Sequence, residues 1–211
     1  MLERSTDVEL VRQCQAGDPT AFDALVRRHE GRAVGMAYRT LGDLDAAHDA
    51  AQEAFVAAWR AIPRFRGDAA FSTWFFRILH NLCLDHAKRR ERSRELPLDK
   101  RGDDDPAVPE VPDPGRGPAE ETERAELHAQ VHAALARLPA HFRLILTMFD
   151  IEGMSYEEIG AILRVPTGTV KSRLNRARHA LRRQLAPAME QLAARGSLPG
   201  QDAHAEGGGA S

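Results

Sequence analysis

The most constraining stretch of the chain runs from Ser155 to Leu185. Ser155-Tyr156-Glu157-Glu158 has capping-box spacing, in which the serine hydroxyl accepts the N–H three residues on and the glutamate accepts the serine's own N–H. Ile159, Ile162 and Leu163 then form the buried side of a short helix that should end near Val165. Pro166-Thr167-Gly168 spells a tight turn, and Thr169 is placed to cap a second helix. Along that helix Val170, Leu174, Ala177, Leu181 and Leu185 recur at three-and-four spacing and must pack inward. A short helix, a turn and a longer helix, each with one apolar stripe, bury those stripes by crossing: the pattern predicts a helix-turn-helix.

The opposite surface of the second helix is chemically distinctive. Ser172, Arg176, His179 and Arg183 share one face, and Lys171, Asn175, Arg178 and Arg182 line the adjacent strip. Between Ile159 and Met189 there are seven Lys or Arg residues and no acid. Such a face suits the major groove, where arginine reads guanine edges bidentately, serine or asparagine reads other bases, and outlying cations hold phosphates. Early residues of the second helix reach the bases in such motifs, so Lys171, Ser172, Arg173 and Arg176, with Thr169 at the helix start, are the expected readers. Arg178, Arg182 and Arg183 are expected on phosphates. A merely solvated basic face is the competing account, and it leaves the capped short helix and the proline-glycine turn unexplained.

A net charge of −2 would argue against nucleic acid if charge were evenly spread over the 211 residues. It is segregated instead. Lys88-Arg89-Arg90 with Arg92 and Arg94 form a second basic cluster, and acid is concentrated between Glu95 and Glu126.

The remaining chain also reads as helix. Thr6-Asp7-Val8-Glu9 opens a short helix that Gly17 ends, and Asp18-Pro19 starts another that should reach about Thr40. Leu44 to Ile62 carries an apolar stripe of Ala47, Ala50, Ala51, Ala54, Phe55, Ala58 and Trp59 before Pro63 stops it. Phe65 to Ala70 is a loop, Ser72 or Thr73 should cap the next helix, and Trp74, Phe75, Ile78, Leu79, Leu82 and Cys83 give that helix its inner face. The most proline-rich stretch, from about Ser93 to Ala119, with Asp103-Asp104-Asp105, lacks the apolar content to order itself. Helices are expected through Leu127 to Leu135 and from His141 to about Asp150, and the tail after Leu185 loses its pattern. The fold class is therefore all-α: two small helical domains joined by a flexible linker, the C-terminal one a helix-turn-helix. The boundaries fall at 1–92, 93–119, 120–190 and 191–211, the last a disordered tail.

Other classes fit poorly. Two distant cysteines, Cys14 and Cys83, in apolar helical patterns suit a reducing compartment, and without a signal peptide or an apolar run near ~20 residues a cytoplasmic location with no membrane insertion is expected. His80, Cys83 and His86, with Asp85 between them, are the best material for a metal site or an enzyme, but the three His and Cys side chains drift around the helical wheel and no further ligand completes a site. No phosphate-binding glycine loop or nucleophile motif occurs, so neither a catalytic residue, a metal nor a cofactor is expected. An autonomous helix-turn-helix regulator, binding duplex DNA unaided as a dimer, shares the Ser155-to-Leu185 motif and is the main alternative function.

Leu138-Pro139 through Leu185, with Ser155-Tyr156-Glu157-Glu158-Ile159-Gly160 and Gly168-Thr169-Val170-Lys171-Ser172-Arg173-Leu174-Asn175-Arg176-Ala177-Arg178, resembles the C-terminal promoter-reading domain (region 4) of extracytoplasmic-function sigma factors. Asp49 to Trp59, followed by Phe65-Arg66-Gly67 and Phe71 to Asn81, is similar to their N-terminal domain (region 2). The resemblance implies a dissociable subunit that directs bacterial RNA polymerase core to promoters, with the minus-thirty-five element read as duplex by the second helix of the helix-turn-helix. It implies that Asp49, Gln52, Glu53, Phe55 and Trp59 dock on the clamp helices of the largest polymerase subunit, with the flap as a further contact, although Phe55 and Trp59 also read as plain core. It implies that the Phe65-to-Lys88 segment captures the minus-ten element as single-stranded DNA, because opening a duplex costs stacking energy that a base pocket must repay. Phe65, Arg66, Phe71, Arg77 and Asn81 are the candidates for that pocket, with Lys88, Arg89 and Arg90 on phosphates. Trp74, Phe75 and Phe76 read mostly as core. In this family the linker threads toward the polymerase active-site cleft, its acid either mimicking nucleic acid or serving as a simple tether, and an anti-sigma protein holds the factor inactive.

Overall fold

The computed structural model describes residues 5–95, 130–131 and 133–196, and among them every regular element is helical. The helices follow the punctuation of the sequence. α1 spans Asp7–Gln15 under a complete Thr6/Glu9 capping box. α2 spans Pro19–Leu41, begins where Asp18 accepts the N–H of Thr20, and stops at Gly42, whose φ of 71° is left-handed. α3 spans Leu44–Ala61, capped by Asp43, and runs into a short 3-10 turn at Ile62–Arg64. α4 spans Phe71–Glu95, so it starts before Ser72 and Thr73, which lie in its first turn and do not cap it.

Four alanines of α3, Ala47, Ala50, Ala54 and Ala58, are fully buried, which lets α3 lie close along α2. Phe75, Phe76 and Leu79 of α4 close this N-terminal core from the other side. Cys83 is buried with them, and burial pushes its thiol up to about 12. Among the described residues no three His, Cys, Asp or Glu side chains gather as a metal site would require.

The C-terminal half contains a helical stretch at residues 133–136, then α5 (Ala140–Leu146), α6 (Tyr156–Leu163) and α7 (Thr167–Gly196). The single helix expected from His141 to Asp150 is instead α5 followed by a π-helical turn at Thr147–Ile151, closed by the Glu152 N–H on the Thr147 carbonyl at 2.9 Å. The wider turn sends both Thr147 and Met148 into the core and leaves Glu152 facing α2. α7 continues through Pro187 to Gly196, beyond both the lost periodicity at Leu185 and the tail expected from residue 191. α4 runs three residues into the linker expected from residue 93; the rest of that linker, its Asp103–Asp105 run and residues 197–211 lie outside the described residues.

The two halves pack on one another. Arg32 Nε donates to Glu152 Oε2 at 2.6 Å, Arg39 Nη1 stands 3.4 Å from Glu152 Oε1, and the Arg32 guanidinium lies over the Phe76 ring. Arg143 Nε donates to the Thr40 carbonyl at 2.6 Å while its Nη1 reaches the carbonyls of Ala136 and Leu138. Helix α4 lies against α6, and buried residues of both halves form one continuous cluster.

Candidate nucleic-acid and protein-docking surfaces

The helix-turn-helix is built around two backbone features. Arg164 closes α6 in the left-handed region at φ 54°, and a Cβ on Gly160 would meet the Val165 carbonyl oxygen at 2.9 Å. The turn is therefore Arg164 to Pro166, and α7 begins at Thr167, earlier than a Thr169 cap would place it. Thr169 lies in the first turn, half-buried, where its carbonyl accepts the Ser172 hydroxyl at 2.9 Å.

From there the predicted face divides. Lys171, Ser172, Arg176, Arg182 and Arg183 are exposed, as are Asn175 and His179. Arg173 is half-buried and turned toward α4, close enough to His80 and His141 to join burial in lowering both imidazole pKa values. Arg178 is held by an ion pair with Asp150 and lies over the Phe149 ring, and that hydrogen bond raises its pKa further. Lys171 Nζ sits over Tyr156, whose ring stacks on Phe149, so one aromatic pair steadies two cations of α7. Periodicity shows which residues share a face, but Asp150, 28 positions away, could be matched to Arg178 only once the π-turn was known.

The minus-ten candidates are spread along α4 and do not form one pocket. The loop 65–70 lies before the helix, whereas Arg77 and Asn81 stand one turn apart, Asn81 being about 15 Å up the axis from Phe71. Phe65 is half-buried against Trp74 and Phe71, and Arg66 reaches into solvent beside Asp68. Phe71, expected among the pocket residues, is only 3% exposed and packs on His29 and Phe75, so here it supports the loop from beneath. Asn81 is exposed with its Oδ1 3.0 Å from His80 Nδ1, and Arg77 is half-buried. Lys88 and Arg89 are exposed, while Arg90 is drawn to Asp43 and the Leu41 carbonyl, fastening α4 to the corner between α2 and α3.

The third surface is a mostly apolar groove of about 540 Å³ between α2 and α3. Phe22, Val26 and Val34 line one wall; Gln52, Phe55, Val56 and Trp59 line the other. Trp59 is 39% exposed and leans on Phe22 with ring centroids 5.0 Å apart. Phe55 is 8% exposed and stacked on Phe75, so it forms the floor and is foremost a core residue. Asp49 and Glu53 are exposed but do not line the groove, and Glu53 stands 3.3 Å from His86 on α4. Val56, 42% exposed, was missed by sequence reasoning, although its position four residues after Gln52 and three before Trp59 puts it on the same strip.

Comparison with known proteins accounts for the two halves. The profile for Sigma-70 region 2 matches residues 25–93, and that for Sigma-70 region 4 matches residues 128–181. The chain is 38% identical over 197 residues to the RNA polymerase sigma-H factor of Pseudomonas aeruginosa, a match covering 90% of this chain and 100% of that protein. It is 35% identical over 192 residues to the ECF RNA polymerase sigma-E factor of Escherichia coli, covering 89% and 98% respectively. Among solved structures, CnrH in complex with the cytosolic domain of CnrY is similar at a TM-score of 0.59 and 28% identity, over 87% of this chain and 99% of that one. The Bartonella quintana sigma factor RpoE, solved with the anti-sigma factor NepR, shares the fold at a TM-score of 0.56 and 23% identity, over 78% and 96%. With both signature regions in order and full-length relatives more than a third identical, the chain belongs to the extracytoplasmic-function branch of the sigma-70 family of transcription initiation factors.

Proposed function

We propose that this sigma factor divides its work among three surfaces. Polymerase core docks on the α2–α3 groove, where Trp59, Val56 and Gln52 offer exposed contact area, and extends to Asp49 and Glu53 on the exposed strip of α3 outside the groove lining. The minus-ten strand is taken up along α4, with the loop 65–70 at one end, Arg77 and Asn81 midway, and Lys88 and Arg89 on phosphates. The minus-thirty-five duplex is read by Lys171, Ser172 and Arg176, with Arg182 and Arg183 on its backbone. The exposed face of α7 from Thr167 to Arg183, which carries cations and no acid, is the observation that carries this reading.

An anti-sigma protein is the expected inhibitor from the family resemblance, and the similar CnrH was solved in complex with a second protein, the cytosolic domain of CnrY. The decisive experiment mixes the full chain with core polymerase on fragments of the source genome. Promoter-specific RNA should need both components, and a gel shift with purified factor alone should be weak. Firm binding to duplex promoter without core would replace this reading with that of an autonomous regulator.

A further inference from the structure

Gln15 ends α1 and lies upstream of the region 2 match, which begins at residue 25. Its side-chain amide nevertheless reaches across to the segment between α3 and α4. Nε2 donates to the Ile62 carbonyl at 3.0 Å and to the Phe65 carbonyl at 2.8 Å. Those two carbonyls bracket the 3-10 turn Ile62–Arg64, so one amide group ties down the turn and the first residue of the loop 65–70.

Little else fixes this segment from outside. Ile62 is buried, Phe65 packs on Trp74 and Phe71, and residues 66–70 are all exposed, with the Arg66 and Asp68 side chains paired to one another. Gly67 has a φ of 76°, which turns the chain sharply and thrusts Arg66 outward. An amide with two N–H donors is the one neutral side-chain group that can satisfy two carbonyls from a single nitrogen. The loop so held is the one assigned above to the minus-ten strand, and capturing an unstacked base depends on a pocket whose backbone is already in place.

We infer that Gln15 is a positioning residue for minus-ten recognition, setting the backbone of the Phe65–Ala70 loop through its paired hydrogen bonds to Ile62 and Phe65. The inference rests on the assignment of that loop to single-stranded DNA. Gln15 touches no base itself. Its effect is on discrimination between correct and altered minus-ten bases, not on polymerase docking, because the α2–α3 groove does not include it.

The test uses the full chain bound to core polymerase on a template already opened at the minus-ten element, so that base capture is separated from duplex melting. The readout is the ratio of affinities for the matching and a substituted base. Gln15→Met keeps length and neutrality but removes both donors. It should leave core affinity near wild type and lower the melting temperature by only a few degrees, while lowering the ratio on the order of tenfold. Gln15→Lys restores donors and should recover the ratio; its added charge acts equally on both templates and cancels. A Gly-Ser replacement of residues 66–70 tests the underlying assignment. If that replacement abolishes discrimination while Gln15→Met retains it, or if Gln15→Lys does not recover it, the inference is overturned and the loop assignment stands. If the replacement leaves discrimination intact, the assignment falls and the inference with it.

Discussion

Phe55 and Trp59 stand about one turn apart on α3, and both read from the sequence as docking residue or core. Phe55 stacks on Phe75 with centroids 4.5 Å apart, whereas Trp59 stays 39% exposed at the lip of the groove. Phe55→Ala should therefore cost about 3–5 kcal/mol of stability, seen as an earlier denaturant midpoint. Trp59→Ala should cost far less stability but weaken core polymerase binding by about tenfold or more in a fluorescence titration. The reverse pattern would place the docking surface elsewhere. Histidine chemistry gives a second residue-scale prediction. His80 is held below the ordinary imidazole pKa by burial and by Arg173 from α7, partly opposed by its hydrogen bond with Asn81. Below about pH 6.5 the unfolded chain thus binds more protons at this site than the folded one, so its contribution to stability is intact above that value and declines beneath it. His80→Gln should flatten the fall in melting temperature between pH 7 and the acid side of that window, and an unchanged slope would refute the assignment.

Element boundaries followed local chemistry closely. Both capping boxes formed as their spacing required, and Asp18-Pro19, Gly42 and the alanine stripe of α3 acted where the sequence placed them. The π-turn at Thr147–Ile151 was not legible, because one added residue in a helical turn requires no special residue type, and Phe142, Ile145, Leu146 and Phe149 still read as one α-helical stripe. Likewise α7 starts at Thr167 and not Thr169, since Pro166 already ends the turn and provides the first acceptor, its carbonyl taking the Thr169 N–H at 2.9 Å. The candidate site was legible as faces but not as partners. Arg178 and Arg90 read as DNA contacts, yet each is engaged by an element distant in sequence, and Arg173 is half-buried near His80 and His141. The close approach of Gly160 to Val165 makes an element-scale prediction. Alanine is ordinarily the better helix former by about 1 kcal/mol, but here its methyl would press on a backbone oxygen at 2.9 Å. Gly160→Ala should be net destabilising by about 1–3 kcal/mol and should weaken minus-thirty-five binding, because the crossing of α6 and α7 must shift. A variant as stable as wild type would show that the turn yields freely.

At the scale of the whole molecule the division into two helical halves was readable from the motif blocks and the proline-rich stretch, while their mutual packing was not. The halves meet through Glu152, Arg32, Arg39 and Arg143, whose pairing depends on where the π-turn points. Glu152 has only 11% of its side chain exposed, and its contacts join the halves directly. Glu152→Ala should increase the separation between fluorescent labels on α3 and at the end of α7, with the open fraction rising several-fold. An unaltered distance distribution would show that the apolar contacts suffice without it.

This buried acid bears on rivalry among initiation factors. If the surfaces proposed above read elements about 25 base pairs apart, ~85 Å of duplex, then the packing of α4 against α6 must open before both elements are engaged at once. The factor's observed grip on polymerase is then the intrinsic one scaled by the share of molecules already unfastened. A single carboxylate far from every base could in this way set how well the factor competes for a limited pool of enzyme.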